Sequence, residues 1–192
     1  MIPHFGLGDV LPPFMGEDAT GGILPRSPYR ATLEEVVETF CTSPERAAIL
    51  RGLLAFREAL RAEGFEAGFQ WLDGSFVEDC ERVKGRPPGD VDVVNLLHRP
   101  PAKMVGEDWE TFVNDRIDTL FDPSWTKANF ACDAYFIDLD STPALIADFS
   151  AYWIGLFSHQ RDTFRWKGML RVDFGGDDAS AADLLAAKVA LW

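Results

Sequence analysis

Apolar positions along this chain recur with two spacings, which predict interleaved helices and strands. The stretch from Thr32 to Phe40 carries apolar residues at helical spacing behind a capping box formed by Thr32 and Glu35. The stretch from Asp90 to Leu97 is a β-branched run entered through prolines and a glycine, which is typical of a strand. The patterns predict helix, helix, strand, strand, helix, strand, helix, strand and helix, over residues 32–40, 43–64, 69–72, 90–97, 108–121, 130–139, 143–157, 164–174 and 180–191.

The first 30 residues follow neither spacing. Proline and glycine are frequent there and disfavour regular elements, so we expect residues 1–30 to form an N-terminal arm that packs over the rest of the chain. The remaining residues, 31–192, have the length of one domain with one core. Helices that alternate with strands in this order predict an α/β (α+β) domain.

Composition agrees with a folded globular protein. Of the 192 residues, 47% are apolar and 26% are charged, which excludes the disordered, collagen-like and disulfide-scaffold classes. The 31 acidic and 18 basic side chains leave a formal net charge of −13, and this charge repels nucleic-acid backbones. We therefore expect no long DNA as a partner, and a polyanion must bind at a local cluster of cations.

Cysteine usage and hydropathy predict the compartment. Cys41, Cys80 and Cys132 are odd in number and have no C-x-x-C spacing, so we expect reduced thiols in the cytoplasm. The first residues lack the features of a signal peptide. The longest mainly apolar stretch, Ala144–Phe157, includes Asp148 and is too short to span a membrane. We expect a soluble, cytoplasmic protein without a membrane contact.

Two aspartates on one predicted strand are the first candidates for chemistry. Successive strand residues point to opposite faces, so Asp90 and Asp92 share one face while Val91 and Val93 share the other. Two ionised carboxylates about 4 Å apart repel each other by roughly 4 kcal/mol at an effective dielectric constant of about 20. Such a pair either raises one pKa or binds a cation, and these hard oxygen ligands suit Mg²⁺ or Mn²⁺ beside substrate phosphates.

A second candidate precedes the aspartates. Gly74 and Ser75 directly follow the predicted strand 69–72, where a glycine lets a phosphate approach the backbone and a serine adds N–H and hydroxyl donors. Taken alone, Gly-Ser is an ordinary turn, and Asp-x-Asp is the solvent face of an edge strand. Together and in this order, the two pairs predict a phosphate site beside a metal site.

Gly74-Ser75, a loop and then Asp90-x-Asp92 on the next strand resemble the signature of the nucleotidyltransferase superfamily with the DNA-polymerase-β-like fold. The resemblance directly covers Leu72–Val94, about an eighth of the chain. Trp71–Val77 and the prolines near the N-terminus also look like a small uncharacterised prokaryotic branch, related to minimal and toxin–antitoxin nucleotidyltransferases. Two departures are the loop of 14 residues, which is slightly long for the family, and Asp73 at a usually apolar position.

This resemblance implies a nucleotidyltransferase-like mixed β-sheet flanked by helices, and a metal-dependent enzyme. Such an enzyme transfers a nucleoside monophosphate from an NTP to a hydroxyl of a protein, tRNA or small-molecule acceptor by a two-metal mechanism. Small members include toxin–antitoxin components and antibiotic-modifying enzymes. The catalytic and metal-binding residues would be Asp90, Asp92 and Asp133, with Mg²⁺ or Mn²⁺. Asp133 is favoured as the third carboxylate because it lies within a predicted strand, whereas Asp138 and Asp140 adjoin a turn.

Cations near these motifs complete the predicted site. Lys84 and Arg86 lie in the long loop, which either brings them over the nucleotide or leaves them in solvent. In the predicted strand Phe164–Phe174, cationic and apolar residues alternate, so we expect one cationic and one buried face. Residues 82–89 and 159–171 each carry a net charge of +3. One interpretation is that they bind the triphosphate or an anionic acceptor, and the other is that they are solvated surface. The predicted nucleotide-binding residues are Gly74, Ser75, Lys84, Arg86, Arg165 and Lys167.

Two other interpretations stay open. A catalytically inactive nucleotidyltransferase fold could serve as a regulatory or antitoxin-like binding module for a partner protein, although the retained carboxylates argue against it. A generic acidic α/β domain could carry the motif by chance. His4, His98 and His159 are not arranged as metal ligands, and the chain has no serine-hydrolase or Walker motif.

Overall fold

The computed structural model describes residues 1–6, 8–16, 25–104, 106–175 and 178–192. Its strands are β1 (Tyr29–Ala31), β2 (Gly68–Asp73), β3 (Val91–Leu97), β4 (Cys132–Asp138) and β5 (Leu170–Asp173). Its α-helices are α1 (Leu33–Phe40), α2 (Pro44–Ala62), α3 (Cys80–Lys84), α4 (Gly106–Asn114), α5 (Pro123–Phe130), α6 (Pro143–Phe157) and α7 (Ala179–Val189). Two 3-10 turns cover Gly74–Val77 and Pro101–Lys103.

The five strands of the described residues form one mixed sheet in the order β1-β5-β2-β3-β4. β2 is antiparallel to both of its neighbours, β5 and β3, whereas β1 pairs with β5 and β4 pairs with β3 in parallel. Helices pack on both faces of the sheet. The predicted α/β class, with a mixed sheet flanked by helices, is confirmed.

One face of the sheet carries the larger core. Strand residues such as Leu72, Val93 and Leu170 are fully buried there, among side chains of α1, α2, α5 and α7. α1 begins where the sequence predicts it, because Thr32 and Glu35 make both hydrogen bonds of the capping box. Each large apolar side chain that is fully buried contributes about 1.5–3 kcal/mol, so this face is the main source of hydrophobic stabilisation.

The other face is covered only in part, by α6. Trp153 and Phe157 are the buried residues of this helix, and they belong to a smaller cluster with the sheet residues Trp71, Val94, Leu96, Ile137 and Met169. The C-terminal end of α6, Gly155–Phe157, lines a cleft on this face. The predicted aspartates Asp90, Asp92 and Asp133 line the same cleft.

The N-terminal arm contains a regular element that its composition does not predict. We expected none in residues 1–30, but β1 begins at Tyr29 and forms an edge strand beside β5. The N–H of Tyr29 donates to the carbonyl of Met169, and its hydroxyl donates to the carbonyl of Pro12. Tertiary pairing with β5 therefore outweighs the local proline and glycine content.

The last predicted strand is much shorter than expected, and the prediction of a cationic face on it is wrong. β5 is Leu170–Asp173 rather than Phe164–Phe174, and a bridge between His159 and Trp166 encloses a turn before it. The Lys167 side chain is only 4% exposed, whereas Trp166 is 59% exposed. The physical reason is that Lys167 has buried carboxylate partners, which an alternation of residue types does not reveal.

Two short helices, α3 and α5, were not predicted, and the helix predicted over 108–121 is α4, which ends at Asn114. Both short helices have capping aspartates, since Asp79 accepts a hydrogen bond from the backbone of Arg82, and Asp122 accepts one from the backbone of Ser124. α3 has five residues, too few turns to show a periodic apolar stripe. α5 has as many residues as α1 but buries only Thr126, so it shows no apolar stripe either.

The cysteines and the helix lengths can be compared with the sequence predictions. Cys41, Cys80 and Cys132 are buried free thiols, as the odd number of cysteines predicts. Within the described ranges, no helix combines the length and the apolar character that a membrane crossing needs.

Candidate functional site

Three aspartates stand side by side on three neighbouring strands. Asp92 of β3 pairs in register with Asp73 of β2 on one side and with Asp133 of β4 on the other. Paired residues of neighbouring strands share a face of the sheet, and Asp90 lies on that face two residues before Asp92. Strand pairing therefore brings four carboxylates to one place, in the cleft that the end of α6 borders.

Three of these carboxylates have the spacing of a metal site. One oxygen each from Asp90, Asp92 and Asp133 lies within 4.8 Å of the other two. The structure thus brings together the three residues that the sequence singled out, including Asp133 as the third carboxylate. Asp138 and Asp140, at or beyond the opposite end of β4, are bonded to other groups instead.

Negative charge accumulates at Asp92. Burial, followed by repulsion from Asp90 and Asp133, raises the pKa of Asp92 to about 6. Lys167 and Lys127 act in the opposite direction without compensating for these effects. A divalent cation would supply the missing positive charge, so the donor set, three carboxylates with hard oxygen ligands, fits Mg²⁺ or Mn²⁺.

Lys127 of α5 is a site residue that the sequence did not reveal. Its Nζ lies 2.5 Å from Asp90 Oδ2 and 3.9 Å from Asp133 Oδ2. The hydrogen bond to Asp90 is the main cause that raises the pKa of Lys127. The helix start at Asp122-Pro123 is the signal that could have located this residue, because an N-cap aspartate followed by proline is typical of a first helical turn.

Gly74 brings the backbone against the carboxylates. It directly follows β2, has a φ of +78° and starts the 3-10 turn Gly74–Val77. A Cβ atom at this position would lie 2.7 Å from Asp92 Cγ, which is closer than non-bonded carbon atoms approach. Ser75, the next residue, also lines the cleft. The predicted Gly-Ser pair therefore lies next to the aspartates.

Lys167 is bonded to the same turn from a buried cluster of charges. Its Nζ donates to the carbonyl of Gly74 and lies 3.1 Å from oxygens of both Asp73 and Glu78. Burial raises the pKa of Asp73 to about 7 despite the nearby ammonium. At Glu78, burial also acts to raise the pKa, but the contacts with Lys167, Gln160 and Lys84 together outweigh it and lower the pKa. Lys167 reaches the cleft, but its ammonium is engaged by protein oxygens that hold the turn.

The aspartates and the Gly-Ser pair open into a cleft of about 710 Å³, within the range of roughly 300–1,000 Å³ that small-molecule sites have. Lys84 and Arg86 both line it and are exposed to solvent there. The Nζ of Lys84 lies 3.5 Å from Glu78 and 3.9 Å from Asp162. Arg161, which the sequence did not single out, lines the same cleft.

Arg165 is placed outside this cleft. The turn before β5 directs its guanidinium against Gly8 in the N-terminal arm. Of the six predicted nucleotide-binding residues, all of them in described ranges, the other five line the cleft. In this segment, Arg161 rather than Arg165 lines the cleft.

The sequence profile of a protein family matches residues 12–173 of this chain, and that family is described as one of unknown function, DUF6932. The chain belongs to the DUF6932 family. No curated protein and no solved structure matches it. The DUF6932 match includes every cleft residue named above and ends with the last residue of β5, so α7 lies outside it.

Within the DUF6932 region, Arg46 of α2 holds the chain that follows the Gly-Ser pair. Its guanidinium donates to the carbonyls of Phe76 and Glu78, each at 2.7 Å, and forms an ion pair with Glu81 at 2.7 Å. Arg46 is only 3% exposed, so these bonds are shielded from water. Arg46 therefore positions the turn from the side of the helical core. The sequence did not predict this role, because Arg46 lies within a regular helix pattern.

Proposed function

We propose that this DUF6932 protein is a metal-dependent nucleotidyltransferase, which moves a nucleoside monophosphate from an NTP to an acceptor hydroxyl and releases pyrophosphate. The observation that carries the proposal is the convergence of Asp90, Asp92 and Asp133 in one cleft, directly beside Gly74 and Ser75. A cluster of carboxylates next to a glycine-serine turn in the same cleft has the parts that bind a metal–nucleotide complex.

The metal would be Mg²⁺ or Mn²⁺, held by Asp90, Asp92 and Asp133. The raised pKa of Asp92 supports this assignment, because it shows that the protein's own cations leave the carboxylate group undercompensated. When bound, two such ions would stabilise the negative charge that develops on the attacking and leaving oxygens.

The chain's own groups have separate tasks in this proposal. Gly74 lets the β- and γ-phosphates approach the backbone, and Ser75 offers them its N–H and its hydroxyl. Lys84, at the end of α3, and Arg86, just after it, line the cleft and neutralise phosphate charge. Asp133 would accept the proton of the acceptor hydroxyl, a role that the resemblance to nucleotidyltransferases implies for the third carboxylate.

Calorimetric titration tests this proposal. Purified protein is titrated with each of the four NTPs, with and without Mg²⁺, beside the double variant Asp90→Ala/Asp92→Ala. A matched control is Asp148→Ala, which removes an exposed aspartate of α6. We expect Mg²⁺-dependent nucleotide binding in the wild type and the control and its loss in the double variant. Binding of no NTP by the wild type would contradict the proposal.

The acceptor is proposed only as a class, a hydroxyl on a protein, a tRNA or a small molecule. The net charge of −13 disfavours long DNA, and it confines a tRNA end or another anionic acceptor to the cations of the cleft. A cytoplasmic location is proposed because all three cysteines are free thiols. A toxin–antitoxin context, with a partner protein, follows from the sequence resemblance alone.

A second candidate function is an inactive nucleotidyltransferase fold that acts as a regulatory or antitoxin-like binding module. The observation in its favour is Lys127, whose ammonium at Asp90 already supplies positive charge to the carboxylates without a metal. This candidate predicts a stably co-purifying partner protein and no heat of nucleotide binding in either the presence or absence of Mg²⁺.

A further inference from the structure

Phe164 is an exposed aromatic residue in a cleft that is otherwise lined largely by charged and polar groups. It is 82% exposed and lines the same cleft as the three aspartates. Its φ of +54° lies in the left-handed region, which bulky side chains rarely adopt. The fold therefore holds a large apolar ring at the surface in an unfavourable backbone conformation, although burial of that ring would be stabilising.

The turn that carries Phe164 is fixed by hydrogen bonds. The N–H of Phe164 donates to the carbonyl of Gln160 at 2.9 Å, and the N–H of Gln160 donates to the carbonyl of Arg165 at 2.8 Å. The hydroxyl of Thr163 donates to the side-chain oxygen of Gln160 at 2.6 Å. These bonds close the turn on itself, so the backbone position of Phe164 is defined relative to Gln160.

Gln160 in turn ties this segment to the Gly-Ser turn. It is only 5% exposed, and its side-chain amide donates to Glu78 at 3.0 Å. The other oxygen of Glu78 accepts from Lys167, which also donates to the carbonyl of Gly74. A single buried cluster therefore holds both the turn that faces the carboxylates and the turn that displays Phe164.

We propose that Phe164 is the platform on which the planar base of the nucleotide stacks. This inference rests on the proposed function and deepens it, because it names the second half of the ligand. The cluster of carboxylates with its metal binds a polyanionic group, and Lys84 and Arg86 contribute positive charge to that binding. An exposed aromatic ring binds a flat and weakly polar group. A nucleoside triphosphate joins these two parts in one molecule, and base–aromatic stacking accepts every base.

The test compares a ligand that has a base with one that has none. The dissociation constants of ATP and of inorganic tripolyphosphate, both with Mg²⁺, are measured by calorimetry for the wild type, Phe164→Ala and Phe164→Tyr. Trp166→Ala is the matched control, since it removes an exposed aromatic ring of the same segment that does not line the cleft. Phe164→Tyr retains the ring, and tripolyphosphate binding by Phe164→Ala verifies that the phosphate side of the cleft still forms in that variant.

We expect Phe164→Ala to weaken ATP binding about tenfold or more, which corresponds to the loss of one stacked base. Tripolyphosphate binding stays within about twofold of the wild type, and Phe164→Tyr and Trp166→Ala bind both ligands as the wild type does. Equal weakening of both ligands, or unchanged ATP binding, overturns the stacking role while the proposed function stands. If the wild type itself binds neither ligand with Mg²⁺, the proposed function fails, and the inference fails with it.

Discussion

A side chain at Gly74 would occupy the place of the Asp92 carboxylate. A Cβ atom there would lie 2.7 Å from Asp92 Cγ and 2.8 Å from Asp92 Oδ2. The turn that follows β2 and the central carboxylate of β3 are therefore in direct contact, and neither can shift without the other. Two independent reasons favour glycine at residue 74, the contact with Asp92 and the φ of +78°.

Gly74→Ala should lower both stability and ligand binding. A non-glycine residue in the left-handed region costs about 1–3 kcal/mol. The added methyl group also pushes the Asp92 side chain away from Asp90 and Asp133. We expect a reduced free energy of unfolding in urea and the loss of Mg²⁺-dependent nucleotide binding by calorimetry.

Two other glycines separate these effects. Gly85 has a φ of +62° and open space around its Cβ position, so Gly85→Ala carries the backbone cost without a steric one. Gly89 has open space as well, and Gly89→Ala carries neither cost. Gly85→Ala should be destabilised but bind nucleotide, and Gly89→Ala should behave as the wild type. Nucleotide binding by Gly74→Ala would show that the contact with Asp92 is not required.

Asp90 and Asp92 could be predicted from a local rule, because side-chain alternation places them on one face. Asp133 could be predicted only because the resemblance implies a third carboxylate on a later strand, and it joins the other two through the parallel pairing of β3 and β4. Lys127 could not be predicted, because its contact with Asp90 depends on where α5 packs. Lys167 was misjudged because alternation alone does not distinguish a solvated cation from one that is paired in the interior.

The fold shows the same division between local and tertiary causes. α1 and α2 were predicted because their caps and stripes are local, and both begin where the caps Thr32 and Ser43 indicate. β1 was missed because its three residues form a strand only through β5. The turn before β5 was missed because Gln160 is fixed by Glu78, a residue 82 positions away in the chain.

The raised pKa of Asp92 predicts how stability depends on pH. Its folded pKa of about 6 lies above an unfolded value of about 4, so the folded state binds the proton more tightly. This contribution to stability is present at low pH and is lost as pH rises from about 4 to about 6. Asp92→Asn mimics the neutral form and should be more stable than the wild type by about 1–3 kcal/mol at pH 8 without metal.

Urea unfolding in a chelator measures this difference. We expect the advantage of Asp92→Asn to shrink as the pH is lowered toward 4, and Asp148→Asn, at an exposed position of α6, to show no such trend. Saturating Mg²⁺ at pH 8 should reverse the order, since an ion that binds only the folded wild type stabilises it. A stability difference that does not change with pH would contradict the assignment.

Lys127→Ala should make the protein more responsive to Mg²⁺. The Lys127 side chain is 54% exposed, so the loss of its ion pair with Asp90 costs the metal-free protein about 0–1 kcal/mol. A metal ion then meets no competing ammonium at Asp90, and the thermal shift at a given Mg²⁺ concentration should exceed that of the wild type. Lys188→Ala, which breaks an ion pair with Glu38 elsewhere, is the control. A smaller shift in Lys127→Ala would mean that this lysine assists metal binding.

Lys167→Met tests the buried cluster behind the Gly-Ser turn. Methionine retains much of the volume but leaves Asp73 and Glu78 without the ammonium that lies 3.1 Å from each. Removal of one partner of a buried ion pair costs about 3–5 kcal/mol. The carbonyl of Gly74 also loses its donor. We expect a large drop in the urea midpoint, together with loss of nucleotide binding in the protein that remains folded.

The double variant Asp73→Asn/Lys167→Met tests whether the stability loss in Lys167→Met comes from unbalanced charge or from the change in side-chain packing. Asp73→Asn removes one of the two carboxylates that Lys167→Met leaves uncompensated, so the double variant should be more stable than Lys167→Met alone. Asp148→Asn, at an exposed position of α6, in the same Lys167→Met background should give no such recovery. If Asp73→Asn and Lys167→Met instead lower the free energy of unfolding additively, the two residues are not coupled, and the cost of Lys167→Met comes from packing.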